Sequence, residues 1–468
     1  MRSHSQQRIF GLLLGFMGAF ISGFEVSGEE LSLAISKSVR LDLEGVAKGL
    51  KDGGPKFVPW PSARMEERRQ QLNTALGELD ALLERSGEDR EEGWKKYLRW
   101  DALQSQLEAD KPDLRKLQPA LAQFYRNHNG LEMGQFTGVR DSLRDYMNAL
   151  LFQDVERAKK LHATQLSQLS KRLDAYLKNP NSEDAWAIGR GVGWLTRSQQ
   201  ASEMQSTLSQ VFSHDNLVLQ VSQRFVGING GSEVEDVTDI TDYILGTSIK
   251  GVAKTKGLIT MSMIPNQKRV SIGIGLKGET TSKNVGTNRG VVIHNSGVTQ
   301  IDATKRIYFD AHGINSDPAE AKCTTDSTID SIQAKSQMVQ RMAWKRAGKT
   351  QDRANSIASR HAETRVEESV DEQAAEMLNE ISNTYQEQFR KPLIRRDGFP
   401  ETLTAQTTET ELMVQIKQTG RFQLAAPSAP PELKKGHDLA LRMHESLVRN
   451  LSETALAGVT LTDERLEE

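Results

Sequence analysis

A chain of 468 residues with a formal net charge of −2 and a single cysteine already excludes several classes. Near-neutrality gives no global attraction to nucleic acid or to an anionic membrane, so any such attraction must come from a local patch. Cys323 has no partner for an intrachain disulfide, and the length allows two or three domains with a sizeable core.

The amino terminus has the form of an export signal. Arg2 and Arg8 precede an uncharged, mostly apolar run of 16 residues from Ile9 to Phe24. Crossing the hydrocarbon layer takes about 20 residues, so the run fits a signal-peptide core better than a span. We expect a signal peptide over residues 1–28, with an uncleaved anchor as the alternative. Export without disulfides points to a bacterial envelope or periplasm.

Residues 29–61, with Gly53-Gly54-Pro55 and Pro59-Trp60-Pro61, read as an irregular linker. From 62 to 210 leucines recur at three- and four-residue steps. Examples are Leu72, Leu76, Leu79, Leu83 and then Leu166, Leu169, Leu173, Leu177. This predicts an antiparallel helical bundle with short connections, and Asp113 or Ser182 could begin helices as N-caps. Trp94, Trp100, Trp186 and Trp194 read as core anchors, with an aromatic binding platform as the alternative. Gly189-Arg190-Gly191-Val192-Gly193 lacks a preceding strand, so it reads as a tight bend or close helix contact rather than a phosphate loop.

Residues 211–425 read as an α+β domain. Leu217, Leu219 and Val221 alternate as a strand, and an acidic connector follows from Gly230 to Asp242. Strands are then expected over 243–254, 258–264, 269–277, 290–294 and 299–311. Their turns would fall at Lys256-Gly257, Pro265-Asn266, Asn284 to Gly286 and Asn295 to Gly297, as an antiparallel meander. Val270, Ile272, Ile274 and Leu276 share one face of the clearest strand. Gly246, Gly251, Gly273 and Gly275 inside strands predict strong curvature or a closely packed backbone.

A long polar helix is expected from about 328 to 391, interrupted at Gly348-Lys349-Thr350. Its second half carries Val366, Val370, Ala374, Leu378, Ile381, Tyr385 and Phe389 on one face, suited to lying on the sheet. Charge is sorted along it. Residues 335–366 hold eight basic and two acidic side chains (+6), and residues 367–387 hold seven acidic and no basic ones (−7). A solvated face explains this, and so does pairing across 335–387 with an antiparallel neighbour in the same chain, a protein partner or a second copy. Contact of the basic half with anionic lipid is a third reading, while nucleic acid is disfavoured because only Trp344 could stack. Strands between Leu403 and Lys417 would complete the sheet. A Pro-rich linker (426–432) then leads to a carboxy-terminal amphipathic helix and tail over 433–468, with Leu439, Met443, Leu447 and Leu451 on its apolar face.

The chain shows no phosphate-loop pattern, no paired metal-binding cysteines and no Gly-x-Ser-x-Gly elbow. His444-Glu445 begins a zinc-helix motif, but Val448 stands where the second histidine belongs. No metal or cofactor is expected. Asp310 and His312, two apart on a strand, are the weak catalytic candidates, against an ordinary hydrogen-bonded surface pair. The order of curved sheet, amphipathic helix and further strands is similar to tubular lipid-binding domains. The segment His444-Glu445-Ser446-Leu447-Val448-Arg449-Asn450-Leu451 loosely resembles a helical segment of those proteins. That resemblance implies a lipid carrier, whose ligand would meet Val270, Ile272, Ile274 and Leu276 opposite Val366, Val370, Leu378 and Ile381. The expectation is an α+β exported envelope protein, structural or binding, for a protein partner or apolar ligand. A hydrolase with a site assembled from dispersed residues is the alternative.

Overall fold

The leucine stripes fold as helices in a computed structural model that describes residues 36–61, 63–420, 423–432 and 436–456. The expected signal over 1–28 and the acidic end of the chain lie outside the described residues. The helices are α1 (Lys37–Lys51), α2 (Arg64–Glu84), α3 (Glu88–Tyr97), α4 (Trp100–Glu108), α5 (Leu114–Phe124), α6 (Gly134–Phe152), α7 (Val155–Lys178), α8 (Ser182–Ser198) and α9 (Ser202–Val211). Asp113 caps α5 by accepting from the Arg115 amide, and Asn181, not Ser182, caps α8 by accepting from Asp184.

Two apolar clusters hold these helices. Leu72, Leu76, Leu79 and Leu83 of α2 meet Leu103, Leu117, Phe136 and Tyr146 in the first. Leu169 and Leu173 of α7 meet Ile188, Leu195 and Leu208 in the second. Leu43 and Ala47 of α1 join the second cluster, which overturns the irregular linker expected over 29–61. Ser36 caps α1, and burial of one turn-spaced pair outweighs the glycines that follow it. Trp100 is buried in the first cluster, with Trp94 packed against it, and Trp194 in the second, whereas Trp186 reaches outward to Glu453 near the carboxy terminus. The glycine run at 189–193 is a close helix contact within α8, where a Cβ on Gly191 would sit 3.3 Å from Leu169.

The rest of the chain is β1 (Leu217–Ser222), α10 (Gln223–Gly230), β2 (Ser232–Ile244), β3 (Thr247–Met263), β4 (Val270–Asn288), β5 (Val291–Asp310), β6 (Gly313–Ser316) and β7 (Glu320–Gln333). Then come α11 (Gln337–Thr384), a π-helical turn (Tyr385–Arg390), α12 (Lys391–Arg395), β8 (Thr402–Thr407), β9 (Glu411–Lys417), β10 (Leu439–Met443) and α13 (Glu445–Leu456). The architecture is α+β: an amino-terminal helical region, antiparallel sheet and one long helix. The large sheet runs β2-β3-β4-β5, and both β6 and β7 pair along the far side of β5. A second sheet has the order β10-β1-β9-β8, all antiparallel.

Several expected boundaries move. The acidic connector is strand β2, paired with β3 over its whole length. The turns expected at Lys256-Gly257, Asn284 to Gly286 and Asn295 to Gly297 are strand interior. Pro265-Asn266 does lie between β3 and β4, and the other two reversals are Leu245-Gly246 and Arg289-Gly290, two-residue loops with positive φ at both positions (49° and 83°, 46° and 84°). That geometry is the type I′ turn, whose twist matches the strands it joins. The break at 348–350 is absent, because α11 runs through it with Thr350 donating to the Arg346 carbonyl. Strands β8 and β9 do not complete the large sheet. They form the second sheet with β1, joined to the first where Asn266 pairs with Thr407. Leu439 and Met443, expected on a helix, belong to strand β10, because a step of four is also a multiple of two.

Candidate functional site

The edge of the large sheet and α11 are built to fit each other. The amides of Ala319, Ala321, Cys323 and Thr325 donate to Asp371 Oδ1, Glu367 Oε1, Glu363 Oε1 and Ser359 Oγ, at 2.8, 3.0, 3.1 and 2.9 Å. Ser327 Oγ adds a bond to Asn355 Oδ1 at 2.6 Å. Two strand residues rise about 6.7 Å and four helical residues about 6.0 Å, so the series stays in register. A strand edge that would otherwise offer free N–H groups is covered by side chains.

The other flank of the same helix reaches the opposite edge strand. Asp242 of β2 bonds His361 at 2.7 Å and Arg365 at 3.1 Å. Burial works against the Asp242 carboxylate, yet these two partners and the Tyr243 amide hold its pKa below the ordinary value. In a flat sheet β2 and β7 would stand about 19 Å apart, yet neighbouring positions of one helix reach both, His361 and Arg365 on one side and Glu363 on the other. Glycine permits close approach of neighbouring strands. A Cβ on Gly251 would lie 2.4 Å from the Lys283 carbonyl oxygen, and one on Gly278 would lie 2.8 Å from that of Lys256.

The apolar residues named as ligand-facing meet protein. Val270 is buried between the two sheets with Met261, Met263 and Leu412, and Ile272 packs against that cluster. Ile274 meets Ile307, Ala374 and Leu378, while Leu276, Ala362 and Val366 meet Ile301, Ala303 and Cys323. Ile381 is buried and Val370 half-buried. Lys305 enters the same interior from β5 and is held by Asp371 at 2.6 Å and the Asp317 carbonyl at 2.9 Å.

Asp310 and His312 do not form an acid–base pair. Asp310 Oδ1 accepts the His312 backbone amide at 2.8 Å and shapes the turn into β6, and the His312 carbonyl accepts from Gln386. Cys323 is buried, and burial, with Glu363 and Glu367 nearby, pushes its thiol up to about 11, against nucleophilic use. Among the described residues no cluster of His, Cys, Asp or Glu could hold a metal ion.

A cleft of about 440 Å³ lies on the outer face of the second sheet, lined by Gln220, Glu411, Gln415, Arg442 and His437 among others. Arg442 is already engaged there, donating to the Pro431 carbonyl at 2.6 Å and to Gln220. Burial pulls its pKa below the usual arginine value. Reading the sequence missed this cleft and the edge acceptors Asn355, Ser359, Glu363, Glu367 and Asp371. The signal for the latter was present as polar residues at steps of four beside the apolar stripe.

These features define an α+β protein whose long helix lies along one edge of the large sheet and reaches the opposite edge strand at Asp242. No family model matches the chain, and no curated protein is similar to it in sequence. Among solved structures it is similar to a crystal structure of lipopolysaccharide binding protein, with 8% identity and a TM-score of 0.23. The alignment covers 49% of this chain and 57% of that one, and an overlap so loose carries no inference.

Proposed function

We propose that this is a non-catalytic binding protein of the bacterial envelope that engages its partner through its exterior. The observation that carries this reading is that Ile274 packs on Ile307, Ala374 and Leu378, while Leu276 and Val366 both pack on Ile301, Ala303 and Cys323. A carrier needs that face for its ligand, and protein contacts to Ile274 and Leu276 support the reading that the partner is met elsewhere. Meanwhile large apolar side chains remain outside, on β10 (Leu439, Leu441, Met443) and on the first turns of α11 (Met338, Met342). Exposed groups of this kind mark interaction surfaces. Export is supported by the run Ile9 to Phe24 behind Arg2 and Arg8.

Native mass spectrometry of the purified protein, with solvent extraction of the same sample, tests the exterior reading. The expected result is the mass of the bare chain; one lipid per chain would overturn it. Cell fractionation tests the location, and recovery in the cytosol alone would overturn export.

A further inference from the structure

Between 335 and 351 the chain carries Lys335, Arg341, Lys345, Arg346 and Lys349 and no acidic residue. All five are exposed, and among the described residues none is in an ion pair, whereas Arg365 further along α11 is tied to Asp242. Met338 and Met342 are 76% and 66% exposed, and Val339 and Trp344 are 44% and 42% exposed. Positions 338, 342, 345 and 349 follow steps of four, three and four, so both methionines share a face with Lys345 and Lys349. Arg341 and Arg346 flank that face. On the opposite side Ala343, Ala347 and Gln351 are half-buried, and Gln340 donates to the Ile332 carbonyl at 2.7 Å. The sheet therefore fixes which face points outward.

We propose that this first third of α11 is a docking surface for an anionic phospholipid bilayer. Cations ring two flexible apolar side chains, the composition of a helix that lies in a headgroup layer. The lysine and arginine stems follow the methionines inward while their charges stay with the phosphates. Nucleic acid would need a row of stacking rings, and this stretch has one. The inference rests on the exterior reading above and names its partner.

The test is co-sedimentation of the full chain with phosphatidylcholine vesicles, with and without phosphatidylglycerol. Binding is expected only with the anionic lipid and is expected to weaken with salt. Each surface cation contributes about 1 kcal/mol, or about fivefold, so Lys345→Gln, Arg346→Gln, Lys349→Gln together should weaken partitioning about a hundredfold. Met338→Ser with Met342→Ser should weaken it several-fold with the charge unchanged. Equal binding to pure phosphatidylcholine would overturn the proposal. So would unchanged binding of the triple variant, the result expected if residues 9–24 carried attachment. Capture of duplex DNA with vesicles ignored would overturn it as well. A lipid recovered from inside the sheet would instead remove the exterior reading and leave the vesicle comparison standing.

Discussion

At Lys305 an ammonium is 5% exposed beneath the long helix, and among the described residues Asp371 supplies the only carboxylate bonded to it. Removing one partner of a buried pair commonly costs about 3–5 kcal/mol. Asp371 is itself 40% exposed, so solvent screening brings the expected loss for Asp371→Ala to about 2 kcal/mol. The bond from Lys305 holds the Asp371 pKa below its ordinary 3.8. Its stabilisation is therefore present above pH about 4 and fades as pH falls through the depressed value. Urea unfolding should separate parent and variant at pH 7 and bring them together near pH 2; a gap that persists in acid would count against the pairing. Cys323 has the opposite sign. Its thiol, raised from 9.0 to about 11, favours the protonated form in the fold. The associated stability is full below pH 9 and declines as the pH climbs toward 11. Iodoacetamide at pH 8 should leave Cys323 unmodified in the native protein and label it rapidly in denaturant, and fast native labelling would show the burial argument to be wrong.

For the elements, the contact of β7 with α11 is the feature that most distinguishes this sheet. An amide bonded to a charged acceptor contributes about 1.5–3 kcal/mol, and among the described residues no further strand pairs with this edge over 320–325. Glu363→Ala with Glu367→Ala should raise hydrogen exchange in a peptide covering 319–327 while β3 and β4 keep their protection. Uniform protection in the variant would mean that packing alone holds the helix. Part of this arrangement was legible in the sequence. Val270 to Leu276 alternates as a half-buried strand must, and Val366 to Phe389 keeps one helical face, so a sheet with a helical partner could be read directly. The turns could not. Gly257, Gly286 and Gly297 look like reversals in a string of letters, yet they are places where neighbouring carbonyls or side chains leave little room for a Cβ. The edge acceptors were hidden for a different reason. A glutamate at every fourth helical position resembles a solvated surface until the strand it serves is placed beside it.

Across the whole molecule, the helical region is tied to the α+β part by arginines that leave little to solvent. Arg140 and Arg144 of α6 are buried, and both reach Asp397 just past α12. Arg140 also donates to the Ile394 and Arg395 carbonyls, at 2.7 and 3.2 Å, and Arg144 to Tyr125 at 2.7 Å. Coming the other way, Arg395 donates to Glu132 at 2.7 Å and to Asn127 at 2.9 Å. Asp397 sits with φ at 56°, so the backbone accepts a left-handed conformation to aim one carboxylate at two guanidinium groups. Asp397→Ala would leave Arg140 and Arg144 facing each other with only Asp141, itself about one-third exposed, to offset them. Loss of that shared counter-charge should cost about 3 kcal/mol or more. Because the loss falls on the junction rather than within either core, its effect should be to uncouple. Calorimetry of Asp397→Ala should show the helical region and the sheets unfolding at separated temperatures, closer together in the parent. Asp397→Asn, which keeps the hydrogen-bond acceptor but not the charge, should fall between the two. If Asp397→Ala unfolds with the parent's profile and midpoint, the arginine cluster is not what joins the halves, and the contact of Trp186 with Glu453 becomes the next link to remove.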